Sequence, residues 1–436
     1  MNSFVRFLLI LIFPSLAVAQ DQLYFPPNDT DEWEKVSFEE LGWCSEVYEE
    51  LKIELEENGT RAFMILKDGK IVVEEYFNEF KQDSSWVWFS AAKSLTSFLV
   101  GLAQENGDLS INDPSHLYLG NGWSDLTPEQ EANITVRHHL TMTTGLDYTV
   151  PNNMCTEPSC LQYLNPPGSH WFYHNAPYSI MRKLIETATG QNYNIYTFQN
   201  MHQTIGMDGF WINTDDLNLY FSTARSMARF GLLMLNNGDW NNQTIMTDKA
   251  YFNDMINTSQ DLNPGYGYLW WLNGKENYKL PESDFVFNGP IVPNGFQDMY
   301  CAIGANAQIL SVVPSQNIIM VRMGNDNSSS LVPFEVLHKT TSALVDMACN
   351  ATSTIEVEKN DPIKVIPNPS SQNEIYISGL PNENIFYLLF DNNLRMVDKG
   401  MLSQDHYLSH QLSSGFYWLK LFSKEEKFKI KRIVIE

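Results

Sequence analysis

The chain has 436 residues, of which 43% are hydrophobic and 13% aromatic, so it is long and apolar enough to bury the cores of roughly two or three domains. This composition excludes a disordered chain. The formal net charge of −24 at pH 7 excludes a nucleic-acid binder, because a phosphate backbone would repel the protein, and it favours a soluble protein outside the cell.

The N-terminal residues have the pattern of a secretory signal peptide. Arg6 precedes an apolar run that Pro14 interrupts, and Ala17-Val18-Ala19 supplies the small residues of a cleavage site. The run is shorter than the roughly 18 residues of a membrane span, and no later run reaches that length. We therefore predict a signal peptide at residues 1–19, export, and no stable membrane span, with a retained anchor as the less favoured alternative.

Two elements that follow are predicted from periodicity. Residues 38–58 repeat apolar side chains at helical spacing, which predicts an amphipathic helix. Residues 61–77 form two strand-like runs joined by Asp68-Gly69, a dipeptide typical of a tight hairpin turn.

A long helical and loop-rich segment extends from about residue 90 to 260. Three strand-like runs then return at residues 267–274, 299–305 and 308–324, and a last helix is predicted at residues 331–350. This order indicates an α/β (α+β) fold, in which an antiparallel sheet is built from both chain ends, is flanked by helices and carries a large helical insertion.

Five cysteines in an exported chain indicate a disulfide framework. Cys155 and Cys160 lie in a short segment that suits a tight turn, so we predict a local bridge between them. Cys44 and Cys349 are candidates for a second bridge, since they lie in the first and last predicted helices. Cys301 is predicted to be a buried free thiol. No Cys or His pair has finger-like spacing, so we expect no zinc site.

A separate domain is predicted after the polar segment at residues 351–361, which we interpret as a linker. Residues 362–436 contain short alternating strand-like runs with Asn, Gly and Pro turns, typical of a small β-sandwich. Acidic and basic residues balance from Asp361 onward, so the whole negative charge lies upstream. We therefore place the main domain at residues 30–350.

The C-terminal domain contains three short motifs in order: IPNP at 366–369, SGFY at 414–417 and KIKRIV at 429–434. They resemble the opening motif, the Gly-aromatic strand and the basic ending of the C-terminal sorting domain of type IX secretion cargo. The resemblance implies the type IX secretion machinery as a partner, and a protein secreted or held at the cell surface after crossing the periplasm of a Gram-negative bacterium. An accessory β-sandwich that binds carbohydrate or packs on the main domain is the alternative.

The strongest chemical signal is Ser90-Ala91-Ala92-Lys93 at the start of a predicted helix. Residues three apart lie on one helical face, one turn from each other. A serine hydroxyl is a poor nucleophile unless a base takes its proton, and a lysine can be that base when burial lowers its pKa. The same helix start places the Ser90 N–H where it can stabilise an oxyanion. An ordinary N-cap serine followed by a solvated lysine is the alternative for this motif alone.

Support comes from Tyr173-His174-Asn175, which precedes another predicted helix. Alternate residues of an extended segment share a face, so the phenol and the carboxamide are expected to point the same way. Tyr173 is a candidate proton shuttle to the leaving group, and Asn175 is a candidate contact for a substrate carbonyl. Alone, Tyr173 is equally compatible with core packing, so the prediction depends on its combination with Ser90 and Lys93.

With these motifs, residues 45–345 resemble the serine β-lactamase and penicillin-binding superfamily, and within it the class C-like esterases, D-amino acid peptidases and amide-oligomer hydrolases. FSAAKSLTS is similar to the nucleophile motif, YHN to the Tyr-x-Asn motif, and ITVRHHLTMTTGL, STARSMARFGLLMLNNGDWNN and GYGYLWW to other segments of the family. The resemblance implies a β-lactamase/transpeptidase-like fold, with Ser90 as acylated nucleophile, Lys93 and Tyr173 as the proton-transfer pair and Asn175 as a substrate contact.

The third family motif, Lys-Thr-Gly, is altered in this chain. Ala302-Ile303-Gly304 stands at the matching position, so the cation that would grip a substrate carboxylate is missing. Gly304 is predicted to let the substrate approach the strand, and the N–H of Ala305 to complete the oxyanion hole with that of Ser90. The departure favours the esterase and amide-oligomer hydrolase branch over β-lactamases and D-Ala-D-Ala carboxypeptidases.

Other residues give weaker signals. Arg137 and His174 are candidates for a replacement cation. Asp147 and Tyr148 are candidates for the wall of the site, although turn capping is the favoured role of Asp147. Core packing and an apolar wall of the site both remain open for five tryptophans: Trp86, Trp88, Trp171, Trp270 and Trp271.

We predict a serine hydrolase that cleaves an ester or amide of a small acid through an acyl-enzyme at Ser90, without a metal or an organic cofactor. Three alternatives stay open. They are a penicillin-binding-like sensor that is acylated without turnover, a surface binding protein in which Ser-x-x-Lys is incidental, and a β-lactamase or D-amino acid carboxypeptidase.

Overall fold

The structure is a computed structural model that describes residues 23–214, 216–326 and 332–348 of the main domain. In the C-terminal region it describes seven strands, with residues 380 and 412 between them. The predicted signal peptide, the predicted linker and Cys349 lie outside the described residues. The bridge between Cys44 and Cys349 therefore stays a prediction.

The main domain contains thirteen described strands. In chain order they are β1 (Thr60–Lys67), β2 (Lys70–Tyr76), β3 (Trp86–Val87), β4 (Phe210–Asn213), β5 (Asn218–Ser222), β6 (Asp239–Trp240), β7 (Gln243–Thr244), β8 (Trp271–Leu272), β9 (Asn277–Lys279), β10 (Val286–Asn288), β11 (Tyr300–Gly304), β12 (Gln308–Val313) and β13 (Ile318–Gly324).

Thirteen α-helices are described in the same part of the chain. They are α1 (Phe38–Leu41), α2 (Ser45–Glu57), α3 (Ala92–Glu105), α4 (His116–Leu119), α5 (Pro128–Glu131), α6 (Val136–Leu140), α7 (Asn175–Ser179), α8 (Met181–Thr189), α9 (Tyr193–Thr197), α10 (Gln203–Ile205), α11 (Ala224–Leu235), α12 (Lys249–Met255) and α13 (Phe334–Met347). Short 3₁₀ turns lie at Phe89–Ala91, Pro158–Cys160, Ala305–Ala307 and Pro314–Gln316, and Phe198–His202 is π-helical.

A six-stranded sheet with antiparallel pairings forms the centre of the domain, in the order β2-β1-β13-β12-β11-β8. The N-terminal hairpin thus joins the returning strands through β1 and β13, where Ile65 pairs with Met320. The predicted sheet built from both chain ends is confirmed. Its hairpin turns at Asp68 and Gly69, which both have positive φ, as a two-residue turn that follows the strand twist requires.

Helices cover this sheet and complete the core. The buried helix α11 packs so closely on the sheet that a Cβ on Gly231 would lie 2.7 Å from Leu310 Cδ1 and 2.8 Å from Ile319 Cγ2. α2 packs on α13 and on β1, so the first and last long helices of the domain lie together, as expected. The mixed α/β fold, with a sheet flanked by helices, is therefore the predicted one.

Several predicted elements needed correction. The helix predicted at residues 38–58 is divided into α1 and α2, because Gly42 adopts a left-handed conformation with φ 66° and ends the first turn. The run at residues 308–324 is two strands, separated by the turn after Pro314. The run at residues 267–274 contributes only Trp271–Leu272 to the sheet. The helical insertion also contains four short strands, β4 to β7, and β3 precedes it.

The cysteines follow the predicted pattern where the structure describes them. Cys155 and Cys160 form a disulfide. Cys301 is a buried free thiol that contacts Ser311 Oγ, and burial raises its pKa to about 12. The backbone N–H of Cys44 donates to Met347 O over 2.9 Å, which places the start of α2 against the end of α13.

The described strands of the C-terminal region form two antiparallel sheets. Their bounds are β14 (Lys364–Ile366), β15 (Glu374–Ser378), β16 (Asn384–Asp391), β17 (Met396–Ser403), β18 (His406–Ser409), β19 (Gly415–Phe422) and β20 (Phe428–Ile435), with the orders β14-β15-β18 and β17-β16-β19-β20. Buried side chains from both sheets, such as Ile377 and Leu419, belong to one apolar cluster. Small sheets are therefore present where the β-sandwich was predicted.

Within the described part of the chain, no helix has the length and apolar character that crossing a membrane requires.

Candidate active site

Ser90 lies in a 3₁₀ turn that leads directly into α3. Buried Trp88 precedes the turn and anchors it to β5. Its backbone N–H donates to Tyr220 O and its indole donates to Ser222 Oγ, both over 2.8 Å. Phe89, next to the serine, has a φ of 48°, which is uncommon for a bulky residue and persists only where the surroundings enforce it. Ser90 is thus presented on a constrained turn and not at an ordinary helix cap.

Lys93 lies beside Ser90 and is buried. Its Nζ lies 3.1 Å from Ser90 Oγ and donates to Asn175 Oδ1 over 2.9 Å. The rings of Tyr173 and Tyr178 lie 5.0 and 4.2 Å from the same nitrogen. Only 3% of the lysine is exposed, and this burial lowers its pKa to about 7. A substantial fraction of Lys93 is therefore neutral near pH 7 and can accept a proton.

Tyr173 is also buried, and its ring lies close to Lys93. Its ring stacks on Trp271 and meets the edge of Tyr266. Burial raises the pKa of Tyr173, and an interaction of its hydroxyl with the Ser90 side chain offsets only part of this effect. The phenol therefore stays protonated near neutral pH, where it can pass a proton on but cannot act as a phenolate base.

Asn175 begins α7, directly after an extended residue at position 174. Its side chain reaches the same point as that of Tyr173, because both contact the serine–lysine pair. The structure thus brings together Ser90, Lys93, Tyr173 and Asn175, as the sequence predicts.

Gly304 ends β11 directly against the Phe89–Ala91 turn that carries Ser90, the nucleophile turn of the sequence prediction. A Cβ at this position would lie 3.0 Å from Ser90 N and 2.9 Å from Ala91 N, and closer still to the carbonyl oxygen of Trp88. The sequence predicts that a glycine is needed here to leave room for a substrate. The structure adds a second reason, because the protein's own backbone fills the space that a side chain at position 304 would occupy. The contact places the end of β11, and Ala305 after it, next to the amide of Ser90.

Neither Arg137 nor His174, the two candidates among the described residues, takes the position of the missing family lysine. Ala302 is fully buried in β11. Arg137 donates to Ser259 O and to Tyr268 Oη, so it serves the loop before β8. Burial lowers the pKa of His174 to about 4, which leaves its imidazole neutral near pH 7. Neither candidate replacement supplies a positive charge to the site.

The weaker predictions have mixed outcomes. Asp147 caps a turn by accepting from the N–H of Thr149 over 2.8 Å, which was its favoured role. Tyr148 stacks on Phe172 with ring centroids 3.6 Å apart and lines a small cavity with His174. Four tryptophans are core residues, Trp88, Trp171, Trp270 and Trp271, while Trp86 is half-buried.

Three residues near the site were not predicted: Tyr178, Gln308 and Arg322. Tyr178 follows Asn175 by three residues in a helix, so helical spacing alone would have placed its ring near Lys93. Gln308 and Arg322 are fully buried polar residues in apolar strands, a pattern that signals a special contact. Among the described residues, no group of three or more His, Cys, Asp and Glu side chains could hold a metal ion.

Comparison with known proteins gives a family and a fold. The family model described as Beta-lactamase matches residues 55–335. No match is found among curated protein sequences.

Among solved structures, similar folds occur in three proteins of low sequence identity. A provisionally assigned 6-aminohexanoate-dimer hydrolase from Bacillus anthracis is 20% identical, with a TM-score of 0.53 over 68% of this chain and 81% of its own. A penicillin-binding protein homologue from Caulobacter crescentus is 14% identical, with a TM-score of 0.53 over 71% and 96%. The octameric penicillin-binding protein homologue from Pyrococcus abyssi is 14% identical, with a TM-score of 0.52 over 90% and 96%.

Proposed function

The chain belongs to the Beta-lactamase family, and on this premise we propose that it is an exported serine hydrolase that cleaves an ester or amide through an acyl-enzyme at Ser90. The observation that carries the proposal is the position of Lys93. A buried lysine with a pKa near 7, 3.1 Å from a serine hydroxyl, is the arrangement that general-base activation of the serine requires.

The proposed reaction moves one proton in each of its two halves. Neutral Lys93 takes the proton of Ser90 Oγ while that oxygen attacks the substrate carbonyl. The N–H groups of Ser90 and Ala305 stabilise the oxyanion. The proton then passes from Lys93 through the Tyr173 hydroxyl to the leaving group, whose bond to the carbonyl carbon breaks, and the acyl group stays on Ser90. In the second half the same groups take a proton from water, the water oxygen attacks the acyl carbon, and the bond to Ser90 Oγ breaks as Oγ receives the proton, so the acid is released and the serine restored.

The substrate we propose is an ester or amide of a small acid without an essential carboxylate. The fully buried Ala302 offers no cation where β-lactam and D-Ala-D-Ala recognition would need one. A protein assigned to 6-aminohexanoate-dimer hydrolysis has a similar fold, and its 20% identity supports the shared fold alone. A non-hydrolytic sensor and a β-lactamase or D-amino acid carboxypeptidase are the competing functions.

A single set of assays separates these functions. The purified protein is treated with a fluorophosphonate probe, p-nitrophenyl esters of short acids and a chromogenic cephalosporin, beside the Ser90→Ala and Lys93→Ala variants. We expect labelling at Ser90, ester turnover that both variants lose, and no cephalosporin turnover. Labelling without turnover would favour the sensor, and efficient cephalosporin turnover would favour the β-lactamase. Absence of labelling in the wild type would refute all three functions, because each of them forms an acyl-enzyme at Ser90.

The ends of the chain carry a second part of the proposal, which concerns localisation. We propose a signal peptide at residues 1–19, a hydrolase domain at 30–350, a linker at 351–361 and a type IX sorting domain at 362–436. The motif order in the sequence and the antiparallel sheets of the C-terminal region support it. A chain truncated after residue 360 should fold and hydrolyse esters but remain in the periplasm of a Gram-negative host with type IX secretion. Its secretion at full yield would contradict the sorting role.

A further inference from the structure

The turn that follows β11 adopts an unusual backbone conformation. Asn306 and Ala307 are consecutive and both left-handed, with φ values of 59° and 57°. Asparagine visits this region as a single residue, but alanine avoids it because its Cβ crowds the backbone, and two consecutive residues persist there only where the surroundings hold them. The turn also carries Ala305, the second oxyanion donor of the proposed function.

Gln308 binds the turn through hydrogen bonds of its side-chain amide. It is fully buried, and its Nε2 lies 3.2 Å from Ala305 O, 3.0 Å from Asn306 O and 2.6 Å from Gly324 O. Its Oε1 accepts from the N–H of Gly324 over 3.0 Å. This single side chain therefore ties the turn to the end of β13.

Arg322 also binds the turn, through its guanidinium group, and it too is fully buried. Its Nη1 donates to Asn306 O over 3.1 Å and to Ala307 O over 2.9 Å. The remaining donors bind oxygens on neighbouring segments: Nε donates to Thr60 Oγ1, and Nη2 donates to Asn58 O and Asn325 O. All five guanidinium N–H groups thus have an acceptor, which fixes the group in one orientation.

Together the two side chains bind every carbonyl oxygen of the turn. Each of these oxygens, on Ala305, Asn306 and Ala307, accepts a hydrogen bond from Gln308 or Arg322. The peptide planes that follow the Ala305 amide therefore cannot rotate freely. On the N-terminal side, Gly304 is in close contact with the backbone around Ser90. The amide of Ala305 is consequently held between two fixed segments.

We propose that Gln308 and Arg322 are positioning residues that keep the Ala305 N–H in register with that of Ser90, so that both can bind one oxyanion; this inference rests on the proposed function. Misplacement of preorganised donors reduces the stabilisation of the transition state more than it reduces binding of the ester in the ground state. Loss of the clamp formed by Gln308 and Arg322 therefore lowers kcat and leaves KM nearly unchanged.

The experiment compares buried arginines in two places. Arg322→Lys keeps the charge but removes the fork that binds Asn306 O and Ala307 O. The matched control is Arg229→Lys, because Arg229 is also buried, has its pKa lowered by burial to about 10 as Arg322 does, and donates to Ile205 O and Pro27 O away from the turn. Gln308→Met is a second clamp variant, in case Arg322→Lys does not fold.

The readouts are kcat and KM for a p-nitrophenyl ester, the pH profile of kcat/KM and Tm, with kinetics measured well below each Tm. We expect about a 10- to 100-fold loss of kcat in the clamp variants, with an unchanged KM and an unchanged pKa for the Lys93 limb. Arg229→Lys should lower Tm alone.

Three results would overturn the inference. Wild-type kcat in folded clamp variants would refute the clamp while leaving the proposed function intact. An equal loss of kcat in Arg229→Lys would show a general effect of stability. Absence of both Ser90 labelling and turnover in the wild type would refute the proposed function and the role of the clamp with it.

Discussion

Lys93 Nζ donates a hydrogen bond to Asn175 Oδ1 over 2.9 Å while it lies 3.1 Å from Ser90 Oγ. The contact orients the Asn175 amide with its oxygen toward the lysine and leaves its NH₂ group to donate to a substrate carbonyl. It also directs one N–H of neutral Lys93 away from the serine, so that the lone pair can face the Ser90 hydroxyl. One hydrogen bond thus serves both the base and the substrate contact of the proposed function.

The pKa of Lys93 predicts how activity depends on pH. Because burial lowers this pKa to about 7, kcat/KM for an uncharged ester should rise with pH through an apparent pKa near 7 and then level off. A stopped-rate assay from pH 5 to 9 on the wild type provides the measurement. A profile that is flat across this range would contradict the assignment of Lys93 as the base.

The same pKa predicts a dependence of stability on pH. Between about pH 7 and 10.5, the unfolded state binds a proton at Lys93 that the folded state does not, so the free energy of unfolding rises with pH across this window. Lys93→Met should remove this part of the slope in urea unfolding at pH 7, 8 and 9. An identical slope in the variant would show that Lys93 is already charged in the folded protein.

The hydroxyl of Tyr173 should matter more than that of Tyr178. Both rings lie near Lys93 Nζ, and burial raises both pKa values. The Ser90 side chain affects the pKa of Tyr173 alone of the two, whereas the Tyr178 hydroxyl lies 3.4 Å from Thr96 Oγ1. Tyr173→Phe should lower kcat/KM by about 10²- to 10⁴-fold, since a proton-transfer group is lost. Tyr178→Phe is the matched control and should retain activity within a few-fold. Equal losses in the two variants would refute the role of Tyr173 as proton shuttle.

Gly304→Ala should damage both stability and the site. The added Cβ would meet backbone atoms of Trp88, Ser90 and Ala91, which cannot move independently of the nucleophile turn. We expect a loss of about 1–3 kcal/mol in the free energy of unfolding, with a large drop in Ser90 labelling by the fluorophosphonate probe.

Gly231→Ala provides the control for that variant. Its Cβ would meet flexible side-chain ends of Leu310 and Ile319, far along the chain from Ser90. It should lower Tm and leave the labelling rate near that of the wild type. Labelling at the wild-type rate in Gly304→Ala would contradict the contact between β11 and the nucleophile turn.

Ala307→Gly should destabilise the protein less than Ala302→Gly does. The alanine at position 307 has a φ of 57°, a conformation that costs an L-residue with a Cβ about 1–2 kcal/mol, and glycine adopts it without this cost. Glycine also gains freedom in the unfolded chain, and the fully buried methyl group of Ala307 is lost, so we expect these effects nearly to cancel in the free energy of unfolding. Ala302→Gly, in the extended strand β11, loses a fully buried methyl group without relieving a left-handed conformation, so the free energy of unfolding should fall by about 1–2 kcal/mol. An equal decrease in both variants by urea unfolding would argue against left-handed strain at position 307.

Much of this arrangement could be predicted from local sequence. The spacing of Ser90 and Lys93 needs only one helical turn, and the Asp68-Gly69 hairpin needs only its own turn residues. Gly304 shows where such reasoning ends, because its closest partners belong to Trp88, Ser90 and Ala91, more than 200 residues earlier in the chain. Gln308 and Arg322 belong to the same case, since their contacts with Gly324 and Asn306 depend on how the strands pair in the sheet.

The position of β1 between β2 and β13 also determines when the domain can fold during synthesis. The hairpin is synthesised early. The inner edge of β1 pairs with β13, where Met320 lies opposite Ile65, and β13 is the last strand of the main domain to be made. Until then the inner edge of β1 offers unpaired backbone groups to other chains. Such distant pairings make folding slow, and a nascent chain that stalls before Ile318 is therefore a candidate for aggregation and chaperone binding.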